Sequence, residues 1–216
     1  MILNTDSKRH RLVFLIRHGE CGKNIHSIID KNEDHSPKFV SKFTRVDKYY
    51  DSKKMKNLTP NGIHQCVLLS RWLSSSKYIP DKIWSSNKTR AIETSTFVKL
   101  MNVYKPEIEQ YKDLDEVSIG KMDEETGRIE TFDELMNRVE AIKQRIEDEP
   151  DDVKTIMIFS HSATISAITM SIFTDKFVNH DLKLHPMNTS ISILLYDIVK
   201  KKWDCLVFNS IEHLLL

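Results

Sequence analysis

The chain has 216 residues, of which 40% are hydrophobic and 29% are charged. This length can bury one sizeable core, so a single domain over residues 1–216 is expected, and the composition excludes global disorder. The formal net charge of +1 gives no bias toward nucleic acid or an anionic membrane surface. No apolar run approaches the roughly 20 residues that cross a bilayer, and Met1–Arg11 has no apolar signal core.

Short apolar runs alternate with amphipathic segments from the N-terminus onward. A buried strand is predicted over Arg11–Arg17, ending before Gly19. Residues 25–57 are polar, lysine-rich and aperiodic, which predicts a long insertion. A helix is then predicted to begin with Thr59 as N-cap and Pro60 in its first turn. Its expected inner face consists of Ile63, Cys66, Val67, Ser70 and Leu73.

The remainder of the chain continues this alternation. The predicted elements are a strand at Lys82–Ser85, a helix at Lys88–Val103, a weaker strand at Glu107–Tyr111, a helix at Phe132–Glu149, a strand at Thr155–Phe159, a helix up to Phe173, and a hairpin of Ser190–Tyr196 with Trp203–Phe208. Strands that alternate with helices predict an α/β fold, a three-layer sandwich whose mostly parallel central sheet is flanked by helices.

Polar residues that a core would exclude follow several of these strands. Arg17 and His18 end the first strand, and His161 follows the strand before the last long helix. Arg90 lies shortly after another strand, and Glu116 follows the weaker one. Because the carboxyl ends of parallel strands share one edge of a sheet, these five residues are expected to meet there.

The residue types at this edge suit phosphoryl transfer. An imidazole whose second nitrogen is held by the backbone is a good nucleophile toward phosphorus near neutral pH. Guanidinium groups bind phosphoryl oxygens in pairs and offset the charge of the transition state. A carboxylic acid protonates the leaving alcohol, and Gly19 allows close approach of the backbone to a phosphate. The sequence therefore predicts a phosphate site with an acid beside it.

Five short motifs in this order resemble the histidine phosphatase superfamily, which has the phosphoglycerate mutase-like fold, over nearly the whole chain. They are Arg17-His18-Gly19-Glu20 with Asn24, Leu58-Thr59-Pro60-Asn61-Gly62-Ile63-His64-Gln65, Ser86-x-x-x-Arg90-Ala91-x-x-Thr94, Leu114-x-Glu116-x-x-x-Gly120, and Ser160-His161. Each motif is weak alone, whereas five in the family's order are specific.

The resemblance implies a role for each matching residue. His18 would be the phosphorylated nucleophile, and Glu116 the general acid that later activates water. His161 would assist catalysis. Phosphate binding is implied for Arg17, Asn24, Arg90 and His161. No metal and no cofactor are implied, and the remaining histidines lack the spacing of zinc ligands.

The chain also departs from the family pattern. Ser162 stands where the family usually has a glycine after the second histidine, and Met122-Asp123-Glu124 replaces an aromatic-Glu-Gly sequence. The insertion at 25–57 is much longer than in simple members, which indicates that the substrate lid has moved. Within it, the basic and aromatic stretch Lys38–Lys56 is either a solvated loop or a flap that favours a polyanionic substrate.

The expected function is a metal-independent phosphatase that acts on phosphomonoesters through phosphohistidine. A phosphoglycerate-type mutase is the second hypothesis, and a catalytically weak phosphate-binding scaffold is the third. The expected partner is a phosphorylated small molecule or a phosphoprotein, with no nucleic acid and no membrane, and a homodimer stays open as an alternative to a monomer. Three widely spaced cysteines, Cys21, Cys66 and Cys205, fit a reducing compartment and predict a cytoplasmic location.

Overall fold

The structure is a computed structural model that describes residues 9–24, 56–117, 127, 129–173 and 184–215. The predicted insertion at 25–57 lies outside the described residues except for its last two positions. Gly120 and Met122-Asp123-Glu124 also lie outside them, as does nearly all of the basic stretch Lys38–Lys56.

The described residues contain one sheet of six strands in the order β3-β2-β4-β1-β5-β6. The strands are β1 His10–Arg17, β2 Lys82–Ser85, β3 Ile108–Gln110, β4 Thr155–Ser160, β5 Ile191–Asp197 and β6 Lys202–Ser210. Strands β1 to β4 run parallel to one another, whereas β5 is antiparallel to β1 and to β6. The mostly parallel sheet and the C-terminal hairpin that the sequence predicts are both confirmed.

Helices cover both faces of this sheet. They are α1 Pro60–Ser76, α2 Thr89–Asn102, α3 Phe132–Asp148 and α4 Ser162–Phe173. Alternate residues of β1 point to opposite faces, so Val13 and Leu15 pack with α3 and α4 while Phe14 and Ile16 pack with α1 and α2. The result is the three-layer α/β sandwich that the sequence predicts.

The start of α1 confirms the predicted cap but corrects the predicted face. The Thr59 hydroxyl oxygen accepts a hydrogen bond from the Gly62 amide at 2.9 Å, and Pro60 is the first helical residue. Ile63, which we expected inside, is 40% exposed, whereas Gly62 and Leu69 are buried. A Cβ atom on Gly62 would lie 2.0 Å from the Glu20 carbonyl oxygen. This close approach of two backbones decides how the helix is rotated.

Helix α3 has the clearest sequence pattern and the most regular packing. Leu135, Val139, Ile142 and Ile146 are fully buried, each worth about 1.5–3 kcal/mol of burial free energy. Its N-terminus has a capping box in which Thr131 and Glu134 satisfy each other's backbone amides. Among the described helices, none is both long and apolar enough to cross a membrane.

Candidate active site

His18 directly follows β1, and its buried ring is held by its own chain. The side chain is 1% exposed, and Nδ1 lies 2.7 Å from the Gly19 carbonyl oxygen. Because a carbonyl only accepts hydrogen bonds, Nδ1 carries the proton and Nε2 carries the lone pair. Arg90 Nε donates to this Nε2 at 3.0 Å. The ring is therefore fixed with its nucleophilic nitrogen toward a guanidinium group.

Two arginines make the surroundings of His18 cationic. Arg90 lies in the first turn of α2, and Arg17 ends β1 and donates from its terminal nitrogen to the Pro186 carbonyl oxygen at 2.8 Å. The buried Nε of Arg17 has no hydrogen-bond partner among the described residues. Burial and, secondly, these two guanidinium groups hold the pKa of His18 well below its ordinary value. His18 is therefore a neutral imidazole at neutral pH.

His161 lies beside His18 at the end of β4, with a ring centroid distance of 5.1 Å and an edge-on contact. Its Nε2 lies 2.8 Å from the Ser86 hydroxyl oxygen, while its buried Nδ1 has no hydrogen-bond partner among the described residues. Burial, followed by the charge of Arg90, holds the pKa of His161 well below its ordinary value. The two histidines thus sit together as predicted, although about 140 residues separate them.

Glu116 completes the group of residues predicted from the strand ends. Its Oε2 lies 3.6 Å from His161 Nδ1 and 3.9 Å from a terminal nitrogen of Arg90. One third of the side chain is exposed. Burial raises the pKa of Glu116 above its ordinary value, and the charges of Arg90 and Arg17 only partly offset that rise. A carboxyl group in this setting keeps a proton to a higher pH than usual, as an acid catalyst requires.

Asn24 is brought to the same edge through a loop residue that sequence reasoning missed. The Asn24 side-chain oxygen accepts from the Cys21 amide at 3.0 Å and from Asn188 Nδ2 at 3.2 Å. Asn188 also donates to the His18 carbonyl oxygen at 3.0 Å. With its oxygen bound in this way, the amide nitrogen of Asn24 is oriented away from these donors. No sequence pattern marked Asn188, because it lies about 170 positions after its partners.

The serine that replaces the family's glycine after the second histidine has a contact of its own. Ser162 is the first residue of α4, and its hydroxyl donates to the Pro186 carbonyl oxygen at 3.2 Å. This is the carbonyl that also accepts from Arg17. The Ser162 hydroxyl therefore ties the start of α4 to the loop that carries Pro186.

A metal ion is a poor match for this pocket. Donor atoms of His18, Glu116 and His161 lie within 4.8 Å of one another, a spacing that a cation can use. However, the His18 lone pair already accepts from Arg90, and Arg17 adds a second positive charge. Two guanidinium groups repel a cation and attract a phosphate, to which they bind bidentately. The charges and hydrogen-bond donors of this pocket therefore suit an anion better than a metal ion.

The fold and the pocket together define an α/β protein with a cationic pocket at the carboxyl edge of its parallel strands. The family model of the histidine phosphatase superfamily (branch 1) matches residues 44–128 and 123–210. The chain therefore belongs to this superfamily. The matched segments contain Arg90, Glu116 and His161, while Arg17 and His18 precede them. A search of curated proteins found no significant match.

Solved structures of the same fold cover nearly the whole chain. A putative alpha-ribazole-5'-P phosphatase from Escherichia coli is 19% identical, with a TM-score of 0.67 over 93% of this chain and 96% of that one. A phosphoglycerate mutase from Bacillus anthracis is 16% identical, with a TM-score of 0.67 over 97% and 98%. A phosphoserine phosphatase from Entamoeba histolytica, in complex with 3-phosphoglyceric acid, is 19% identical, with a TM-score of 0.63 over 94% and 99%.

Proposed function

We propose that the protein is a phosphatase that hydrolyses phosphomonoesters through a phosphohistidine at His18, without a metal. The observation that carries the proposal is the fixed tautomer of His18, whose Nε2 lone pair faces the cationic side of the pocket. Glu116 lies near by with a raised pKa. A nucleophile, two anion-binding groups and an acid are the parts that this chemistry needs.

In the first half of the reaction, a bound phosphate replaces the His18 ring as the partner of Arg90 Nε. His18 Nε2 then attacks phosphorus, the nitrogen–phosphorus bond forms, and the bond to the ester oxygen breaks. Glu116 gives its proton to the departing alkoxide, which leaves as an alcohol. Arg17 and Arg90 hold the charge that spreads over the phosphoryl oxygens.

In the second half, Glu116 is a carboxylate and accepts a proton from water. The hydroxide attacks phosphorus, the nitrogen–phosphorus bond breaks, and His18 returns to its neutral form with Nδ1 still bound to the Gly19 carbonyl oxygen. Glu116 regains its proton in the same step and the cycle closes. Each proton that is donated in the first half is recovered in the second.

The substrate class is a phosphorylated small molecule or a phosphoprotein. Two of the structural neighbours are named phosphatases of small phosphate esters, and the third is named a mutase, which keeps a phosphoglycerate-type mutase as the second candidate. A phosphate-binding scaffold without turnover is the third. The three cysteines are free thiols, which supports our proposal of a cytoplasmic location.

The test is an assay of aryl and alkyl phosphates with and without EDTA and vanadate, combined with acid-quench labelling of the enzyme. We expect hydrolysis that EDTA leaves unchanged and vanadate inhibits, and acid-labile phosphate on His18. His18→Ala should lose both labelling and turnover, whereas the exposed His64→Ala should keep them.

Three results would overturn the proposal. A loss of activity in EDTA that a divalent ion restores would indicate metal catalysis. Transfer of the phosphoryl group back to a phosphoglycerate, faster than its release to water, would favour the mutase. Phosphate binding with no turnover of any ester would favour the scaffold.

A further inference from the structure

The Ser86 hydroxyl lies between His161 and Asp115, and the direction of its hydrogen bonds can be assigned. Its oxygen lies 2.7 Å from Asp115 Oδ1 and 2.8 Å from His161 Nε2. The Lys88 amide donates to the same oxygen at 3.1 Å. An ionised carboxylate only accepts, so the one hydroxyl hydrogen goes to Asp115. His161 Nε2 must therefore carry a proton and donate it to Ser86.

The carboxylate of Asp115 is held firmly in this position. Asp115 Oδ1 also accepts from the Asn87 amide at 2.9 Å, and Lys88 Nζ lies 3.7 Å from Oδ2. The backbone carbonyl of Asp115 accepts from the Thr164 hydroxyl at 2.7 Å and from Arg138 at 3.0 Å. Asp115 is thus fixed to α2, α3 and α4 at once, directly before Glu116.

The neutral ring of His161 consequently has a lone pair, and no proton, on Nδ1. This atom lies 3.6 Å from Glu116 Oε2, on the pocket side of the ring. A lone pair repels a phosphate oxygen, whereas a proton on Nδ1 would bind one. Since Nε2 already carries a proton, Nδ1 gains one only if the whole ring becomes an imidazolium.

We propose that Asp115, acting through Ser86, is a positioning residue that holds a proton on His161 Nε2, on the side of the ring away from the pocket. His161 can then bind phosphate through Nδ1 only as an imidazolium. This rests on the proposed function, in which His161 contacts the phosphoryl group. Phosphate binding then takes up one proton: His161 is neutral in the free enzyme and doubly protonated in the phosphate complex. When a phosphate dianion binds, that proton comes from solvent.

The charges around His161 account for this switch. Without phosphate, the charges of Arg90, Arg17 and Lys88 oppose a positive charge on the His161 ring, and the His18 ring contributes no compensating charge. Glu116 faces Nδ1 but tends to keep its own proton. A bound dianion offsets the arginine charges and adds an acceptor at Nδ1, while Asp115 stabilises the far side of the ring through Ser86.

The experiment is long-range ¹H–¹⁵N NMR of the histidine rings in the full chain, with and without inorganic phosphate, across pH. Signals of His161 are assigned by their absence in His161→Gln. In the wild-type phosphate complex we expect both ring nitrogens to be protonated. In Asp115→Ala the Ser86 hydroxyl is released and can donate to Nε2, so a neutral ring with its proton on Nδ1 should replace the imidazolium.

The expected size is that of one charge-assisted hydrogen bond, so the pH at which the bound imidazolium loses its proton should fall by about one to two units in Asp115→Ala. Asp115→Asn keeps an accepting oxygen for the Ser86 hydroxyl but loses the charge, so its imidazolium should lose its proton at a pH between those of the wild type and Asp115→Ala. Ser86→Ala removes the acceptor of the Nε2 proton and leaves phosphate as the acceptor at Nδ1, so its ring should also be neutral with the proton on Nδ1, while Asp115 keeps its contact with the Asn87 amide. This variant keeps the test decisive if the alanine at 115 fails to fold.

Two outcomes would overturn the inference: a neutral His161 in the wild-type phosphate complex, or an unchanged spectrum in both Asp115→Ala and Ser86→Ala. Activity toward phosphate esters is measured on the same samples. If the wild-type protein turns over phosphate esters but gives one of these two results, only the positioning role of Asp115 is rejected, and the proposed phosphatase function stands. Phosphate binding with the expected spectra but no turnover rejects the phosphatase and leaves the positioning role intact.

Discussion

His18 and His161 are both buried imidazoles that directly follow parallel strands, yet opposite ring nitrogens face the pocket. His18 is held through Nδ1 by the carbonyl oxygen of the next residue, Gly19. His161 is held through Nε2 by Ser86, which lies 75 positions away along the chain. One tautomer is therefore set by local backbone geometry and the other by a tertiary contact. The difference indicates that the ring of His18, the proposed nucleophile, is oriented by its own backbone, whereas the orientation of the His161 ring depends on contacts between distant segments.

Removing each ring in turn should separate the two roles most sharply. His18→Ala should lower turnover by about 10⁶-fold, the scale seen when a covalent enzyme loses its nucleophile, and should abolish phosphoenzyme. His161→Ala should still form phosphoenzyme, but more slowly, because the nucleophile and both arginines stay in place. Rapid-quench labelling checks both variants. Labelled His18→Ala protein would remove the distinction between the two histidines.

If Glu116 is the general acid that we propose, the loss of activity on its removal should depend on the leaving group. Glu116→Gln should lose about 10²–10⁴-fold on alkyl phosphates and far less on p-nitrophenyl phosphate, whose phenolate leaves without a proton. Asp115→Asn, one position earlier, should show no such dependence, since its side chain faces Ser86. Steady-state kinetics with both ester types measure the effect. Equal losses on both would make Glu116 a binding residue.

The position of the His18 backbone should depend on Asn188, whose side chain donates to the His18 carbonyl oxygen. Asn188→Ala removes hydrogen bonds to the His18 carbonyl and to Asn24, each worth about 1 kcal/mol, so kcat/KM should fall by about 10-fold or more. Asn102→Ala, which removes an amide hydrogen bond at the far end of α2, is the matched control. Indistinguishable kinetics in the two variants would contradict a role for Asn188 in the site.

A third buried histidine tests whether a low pKa alone marks a functional ring. Burial lowers the pKa of His213 to about 4, and its Nε2 bonds to the Thr189 hydroxyl. The unfolded chain binds a proton below about pH 6.5, where folded His213 does not, so stability falls as the pH drops from 6.5 toward 4.

The loss from this one group is roughly 2 kcal/mol at pH 5, and His213→Gln should remove it without changing turnover at neutral pH. Denaturant unfolding at pH 5 and pH 7 measures the difference. If His213→Gln changed the free energy of unfolding by the same amount at pH 5 and at pH 7, the pKa of His213 would not be lowered by burial in the folded state.

Much of the fold followed from local pattern. The period of α3, the cap at Thr59 and the two apolar strands that end in histidine placed the elements within a residue or two, because apolar spacing and capping are local properties. The predicted buried face of α1 was wrong at Ile63, which is exposed. Its rotation depends on the contact of Gly62 with the Glu20 carbonyl, and that contact joins segments about 40 positions apart.

The sequence by itself determined which groups stand at the strand ends, since a parallel sheet must bring those ends to one edge. The structure showed the tautomer of His18, which local backbone geometry sets through the adjacent Gly19 carbonyl oxygen. Only the tertiary structure decided which nitrogen of His161 faces Ser86 and which carboxylate accepts from Ser86. It also decided the contact of Asn188 with the His18 carbonyl oxygen. These depend on hydrogen-bond directions between distant loops, and neither residue type nor spacing encodes a direction.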